Sequence, residues 1–151
     1  MNEKCDIVIS VEGAGHRDAL TLMEELDEEL QSKYPKESIH GLKPSEAMVF
    51  LVARSGDYAV GCGALRKISE GIAEVKRMFV RFDHRGRGIS KQILRRLEST
   101  AIEFGHNRIW VETGDRQPES IGLFESSGYS RIPRYGEYAN DPHSICFEKT
   151  L

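Results

Sequence analysis

Gly86 and Gly88 stand one residue apart in the run Val80-Arg81-Phe82-Asp83-His84-Arg85-Gly86-Arg87-Gly88-Ile89-Ser90, where a strand-like stretch (72–80) hands over to a helix-like one (91–104). A turn of this kind exposes backbone N–H groups at the start of a helix, and such groups can bind a phosphate. From Lys76 to Arg96 the chain carries Lys76, Arg77, Arg81, Arg85, Arg87, Lys91, Arg95 and Arg96 against one acid, Asp83. A positive island at a glycine turn, in a chain of formal net charge −3, points to a bound polyanion. The spacing excludes two familiar phosphate loops. A P-loop needs a lysine directly after its second glycine, and here Ile89 and Ser90 intervene before Lys91. A dinucleotide fingerprint needs a third glycine, which is missing. On these residues alone, a plain helix-capping turn with surface arginines stays open.

The elements that must hold this turn follow from periodicity. Ile7 to Val11 reads as a first strand. After Gly15, the residues Ala19, Leu22, Met23, Leu26 and Leu30 fall on one helical face. Residues 35–44 read as a loop or a short broken helix. Met48 to Ala53 is an apolar run short enough for a buried strand. Tyr58 to Leu65 is the next strand, where Gly61 and Gly63 predict a bulge or a close approach. Turns at 55–57 and 69–71 complete a meander of three strands. In the helix after the glycine turn, Ile89, Ile93, Leu94, Leu97 and Ala101 line one side, Arg95, Arg96 and Glu98 face out, and Gly105 is the stop. A strand over 108–113, a helix opened by Pro118 and ended by Gly128, and strands over 129–132 and 144–148 follow. The order predicts one α/β domain over residues 1–151 with a mixed sheet.

Composition narrows the classes. The chain has 151 residues, enough for one domain with a real core, and 39% hydrophobic and 30% charged residues are ordinary for a soluble globular protein. A net charge of −3 argues against broad nucleic-acid binding. Cys5, Cys62 and Cys146 have no metal or redox spacing, which fits a reduced, cytoplasmic setting. The charged start, Met1 to Asp6, precedes no long apolar stretch, so neither a signal peptide nor a membrane anchor is expected. His16, His40, His84, His106 and His143 are scattered, with no metal spacing, and no metal is expected.

The segment 74–132 resembles the GCN5-related N-acetyltransferase (GNAT) superfamily. Arg85-Gly86-Arg87-Gly88-Ile89-Ser90 is similar to its Q/R-x-x-G-x-G/A signature, with Ser90 as the final small residue. Gln117-Pro118-Glu119-Ser120-Ile121-Gly122-Leu123-Phe124-Glu125-Ser126-Ser127-Gly128-Tyr129 is similar to its N-x-x-A-x-x-L-Y-x-x-x-G-F motif. Val111-Glu112-Thr113-Gly114 and the ending Tyr135-Gly136-x-Tyr138-x-x-Asp141-Pro142 resemble a bacterial subgroup of small acetyltransferases, some of them labelled indole-acetic-acid acetyltransferases. The resemblance implies a mixed, mainly antiparallel sheet flanked by helices, with central parallel strands that splay. Acetyl-CoA would lie in the splay as co-substrate. Its pyrophosphate would sit on the N–H groups of Arg85, Gly86, Arg87, Gly88, Ile89 and Ser90. Its pantetheine arm would pair with Met78 and Val80, a backbone N–H at Phe79 or Val80 would hold the oxyanion, and Gln117 stands where the family often has a cofactor-binding asparagine.

Direct transfer to an amine needs a proton acceptor. Glu74 is the candidate. It lies six residues before Val80 on one strand, hence on the same face, and matches the general-base glutamate of the histone-acetylating branch. The alternative is a glutamate on an exposed strand end, or one paired with Lys76 or Arg77. The family's acid tyrosine is Phe124 here, which has no proton to give. Tyr129 reads as core, and Tyr135 and Tyr138 are alternative donors or pocket wall. Asp115 and Arg116 read as a loop salt bridge, Cys62 and Cys146 as buried hydrophobes, and Trp110 as core or cleft wall. The acceptor region is expected between the first helix and loop 133–142, lined by Lys36, Glu37, His40, Arg134, Tyr135, Glu137, Tyr138 and Asp141. The reading is an N-acetyltransferase for a small-molecule amine. A protein lysine or N-terminal acetyltransferase and a non-catalytic acyl-CoA sensor are the alternatives. Nucleic acid and membrane are not expected partners, and a homodimer is left open.

Overall fold

A computed structural model describes residues 6–151. Met1 to Cys5, with the first cysteine and the leader reading made on it, lie outside the described residues. The order is β1 (Ile7–Glu12), α1 (Arg17–Gln31), β2 (Ala47–Ser55), β3 (Tyr58–Ser69), β4 (Ile72–Val80), α2 (Ile89–Glu103), β5 (Arg108–Gly114), α3 (Pro118–Ser126), β6 (Ser130–Ile132) and β7 (Ser144–Thr150), with short 3-10 turns between. Seven strands form one sheet in the order β1-β2-β3-β4-β5-β7-β6. The β4–β5 pair is parallel and the other pairs are antiparallel.

Both sheet faces are covered, which explains why β2 reads as a continuous apolar run rather than an alternating one. On one face α2 and α3 pack Ile89, Ile93, Leu94, Leu97, Ala101 and Phe124 against Leu51, Leu65, Val75, Val111 and Phe147. On the other face α1 packs Ala19, Leu22, Met23 and Leu26 against Phe50, Val52, Cys62, Ala64 and Phe79. Gly63 permits the close approach of α2. A Cβ there would meet Ile93 Cγ2 and Met78 Sδ at 2.8 Å each. The expected outward Glu98 is a correction. It is 9% exposed, accepting from the Tyr129 hydroxyl at 2.7 Å and from Lys149 Nζ at 3.2 Å, because β7 and the chain after α3 close over that turn of α2.

Two features of β4 set up the site. First, its register against β3 runs Cys62↔Phe79 and then Ala64↔Lys76, so Gly63 faces both Arg77 and Met78. This is a β-bulge, and Arg77 takes the left-handed conformation there, at φ 58°. The bulge flips the alternation. Ala73, Val75, Met78 and Val80 face α2, while Glu74, Lys76 and Phe79 face the α1 side. The expectation that Glu74 and Val80 share a face is therefore wrong, because counting by twos fails across a bulge. Second, β4–β5 pairing stops at Val75↔Val111. From Lys76 and Glu112 onward the two strands diverge, and the β4 edge toward β5 has no ladder partner among the described residues.

Candidate functional site

The glycine turn has the form the sequence predicts. Gly86 and Gly88 have φ of 75° and 77°, values that disfavour any residue with a Cβ, and Gly88 is the N-cap of α2. A cavity of about 180 Å³ runs from this turn along the divergence of β4 from β5. All the residues expected to hold the cofactor line it except Arg87: Met78, Phe79, Val80, Arg85, Gly86, Gly88, Ile89, Ser90 and Gln117. The Arg87 side chain turns outward, its Nη2 donating to Asp83 O at 3.3 Å. Gln117 Oε1 accepts from Gly114 N–H at 3.2 Å, at the foot of α3.

The positive island is smaller in space than in sequence. Acids of α1 neutralise three of its members: Asp27 holds Arg77 at 2.8 Å, Glu25 holds Arg81 at 2.6 Å and Glu29 holds Arg85 at 2.8 Å. These partners are some 50 positions away along the chain, so no local count reveals them.

A second cavity, of about 80 Å³, meets the first at Leu26, Met78, Gln117, Ser120 and Phe124. Its polar lining is His40, Lys76, Arg77, Glu112, Thr113 and Tyr138. Glu112 is the residue that sequence reasoning missed as a site group. Its Oε2 accepts from Ser144 Oγ at 2.5 Å. Burial pushes its pKa up to about 7; Ser144, His40 and Lys76 oppose that rise and the nearby Asp141 adds to it. The available signal was a glutamate on the α1-facing side of β5, between buried Val111 and Thr113. Beside it, His40 Nε2 lies 2.8 Å from Asp141 Oδ2, and Asp141 is fixed by Ser38 Oγ at 3.1 Å and His143 N–H at 2.9 Å. Ligand-type atoms of His40, Glu112 and Asp141 lie within 4.8 Å of one another, so one of the five histidines joins two carboxyl groups. His106 is buried and His40 partly so.

Glu74 is placed differently. It is fully buried, accepts from Arg66 Nη2 at 2.5 Å and from the Tyr135 hydroxyl, and lines neither cavity. Tyr135 stacks on Trp110, whose Nε1 donates to Glu148 at 2.7 Å. Tyr138 is buried with its hydroxyl accepting from Lys76 Nζ at 3.0 Å, and burial pushes its pKa up. Glu137 bridges Arg66 and Lys76 at 3.0 and 3.3 Å.

Of the remaining acceptor-region residues, Lys36 and Glu37 are exposed, and Arg134 lies outside both cavities, donating to Ser144 O and Pro142 O. Asp115 pairs with His143 at 3.1 Å rather than with Arg116, whose N–H donates to the Tyr34 hydroxyl at 2.8 Å. Phe124 lines both cavities and packs on Tyr129 and Phe147, and Tyr129 is core as expected. Cys62 and Cys146 are buried, which raises their thiols to about 12 and about 11.

Residues 19–129 match the model of the Acetyltransferase (GNAT) family. An IAA acetyltransferase of Azospirillum brasilense is 41% identical over 137 residues, covering 86% of this chain and 88% of the relative. The uncharacterized N-acetyltransferase YsnE of Bacillus subtilis is 29% identical, covering 95% of this chain and 99% of its own. A Klebsiella pneumoniae protein assigned to the acyl-CoA N-acyltransferases superimposes with a TM-score of 0.85 at 28% identity, over 98% of this chain and 99% of that one. A GNAT acetyltransferase of Elizabethkingia anophelis, solved with acetyl-CoA bound, shares the fold at a TM-score of 0.74 and 18% identity, over 98% and 100% of the two chains.

Proposed function

The chain belongs to the GNAT acetyltransferase family, whose enzymes use acetyl-CoA, and on that premise we propose that it moves the acetyl group to the amine of a small molecule, with Glu112 as the base. The pyrophosphate of acetyl-CoA rests on the N–H groups of the turn Arg85–Ser90, where the start of α2 favours negative charge. The pantetheine arm runs along the unpaired edge of β4 from Met78 to Val80, and a backbone N–H there polarises the thioester carbonyl. The amine enters from the second cavity.

The acceptor ammonium passes one proton to Glu112 and attacks as the free amine. The C–N bond forms and the C–S bond breaks. The proton lost from nitrogen ends on the CoA sulfur, carried by water, since Phe124 has none to give. One observation carries this reading. The second cavity opens off the first at Met78 and Phe124 and has the buried Glu112 carboxyl in its wall, and burial pushes that carboxyl up to about 7. A base works best when its pKa lies near the operating pH. The small volume of that cavity favours a metabolite over a protein side chain presented on a peptide. Glu74, committed to Arg66 and Tyr135, is assigned to holding loop 133–142 on β4.

The test is free-thiol release from acetyl-CoA with an amine panel, run on Glu112→Gln and Glu74→Gln. Glu112→Gln is expected to lower turnover by about 10²–10⁴-fold. The loss shrinks as pH rises and more amine is already neutral. Glu74→Gln is expected to act mainly through stability. A large turnover loss in a well-folded Glu74→Gln, with Glu112→Gln near wild type, would return the base to Glu74. Acetyl-CoA binding with no amine consumed across the panel would favour a sensor.

A further inference from the structure

Arg77 is the one non-glycine residue with positive φ among the described residues. Non-glycine residues held in that region concentrate at ligand clamps and active sites. The consequence here is geometric. In a regular strand Lys76 and Arg77 would point to opposite faces. At the bulge both turn toward the α1 side, and both line the second cavity. Each is nearly buried, at 6% and 7% exposure.

Their donors are unequally used. Lys76 Nζ donates to the Tyr138 hydroxyl and to Glu137. Arg77 Nη2 donates to Met23 O at 2.9 Å and Asp27 Oδ1 at 2.8 Å. Arg77 Nε is buried with no hydrogen-bond partner among the described residues. A buried guanidinium N–H without an acceptor is costly, so such a group points to a ligand that supplies one. The same cavity carries Glu112 on its β5 wall, and Leu26 and Leu30 of α1 give it an apolar side. One small space thus has a β4 wall of ion-paired Lys76 and Arg77 with one N–H, Arg77 Nε, left without an acceptor among the described residues, a carboxyl on its β5 wall and an apolar flank.

Resting on the acetyl-transfer reading above, we propose that the acceptor is an α-amino acid with an apolar side chain, its ammonium on Glu112 and its carboxylate on the Lys76–Arg77 wall. A plain amine satisfies only Glu112 and leaves Arg77 Nε without an acceptor among the described residues. A site whose buried donors stay unpaired rejects the analogue that lacks the partner, here by about 100-fold or more.

The experiment compares matched pairs that differ only in the carboxylate: L-leucine with isoamylamine, and L-phenylalanine with phenethylamine. The readout is thiol release from acetyl-CoA, with kcat and KM separated. Each amino acid is expected to exceed its amine in kcat/KM by about 100-fold or more. Arg77→Gln, checked by its melting temperature, is expected to erase that preference by raising KM for the amino acid far more than for the matched amine. Asp27→Asn, at a half-exposed position, releases an Arg77 donor and is expected to lower KM for the amino acid, which keeps the test decisive if Arg77→Gln does not fold. Amines acetylated as well as their amino acids would overturn this inference and leave acetyl transfer standing. Acetyl-CoA bound but neither class acetylated would overturn the acetyl-transfer reading, and this one with it.

Discussion

At the scale of single residues, Glu112 decides the pH behaviour. Its folded pKa of about 7 stands above the ordinary carboxyl value of 4.5. As a base it works only when ionised, so kcat/KM is expected to rise through an acid limb near pH 7, a feature that Glu112→Gln removes. Stability moves the other way. Between about pH 4.5 and 7 the folded state holds a proton that the unfolded state has released, so stability contributed by this group is present below 4.5 and is lost as pH rises through about 7. Glu112→Gln cannot ionise. At pH 8 it is expected to be more stable than wild type by about 2 kcal/mol in urea titration, while turning over more slowly. Equal stability of the two proteins at pH 8 would mean that Glu112 is not strained by burial.

At the scale of elements, β4 and α2 carry the site between them. The bulge brings Lys76 and Arg77 to one face, the divergence after Val75 opens the edge of β4, and Gly88 starts α2 in the wall of the cavity. The added Cβ of Gly88→Ala meets no atom within 4 Å, so the cost is conformational, about 1 kcal/mol for an L residue at that φ. The turn is expected to relax and its donors to lose aim. Acetyl-CoA affinity measured by calorimetry should fall at least 10-fold in a folded protein. Unchanged affinity would detach the turn from the cofactor. The α1 acids belong to the same element-level design, since Asp27, Glu25 and Glu29 tie α1 to β4 and to the start of the turn.

At the scale of the whole molecule, the sheet is a wedge held shut at one end and open at the other. The closed end is fastened by buried polar contacts as well as by the apolar cores. Tyr129 of the α3–β6 junction and Lys149 of β7 both donate to Glu98 of α2, tying three parts of the chain together. Glu98→Ala leaves the Tyr129 hydroxyl buried without its acceptor, which costs about 1–3 kcal/mol. Tyr129→Phe in the same background removes the stranded hydroxyl and is expected to recover part of that loss in a denaturant melt. Additive losses from the two substitutions would show that they do not share one interaction. No helix among the described residues is long and apolar enough to cross a membrane.

The sequence by itself determined the glycine turn, the strand and helix order, the apolar faces of the first two helices and the family. Each of these rests on residues close together in the chain: Gly86 with Gly88, or Ile89, Ile93, Leu94 and Leu97 along one helix. What needed the tertiary structure involved distant partners or a break in period. Counting from Val80 put Glu74 on the wrong face, because one extra residue at the bulge shifts every side chain beyond it. Glu98 reads as outward by helical spacing and is inward because β7 arrives over it. Glu112 has no local signature, and its role arises where the diverging strands leave a hole and where His40 and Asp141, 101 positions apart, meet beside it. Local propensity and periodicity fix elements. A site made at the crossing of elements is fixed only when burial and charge are shared in space.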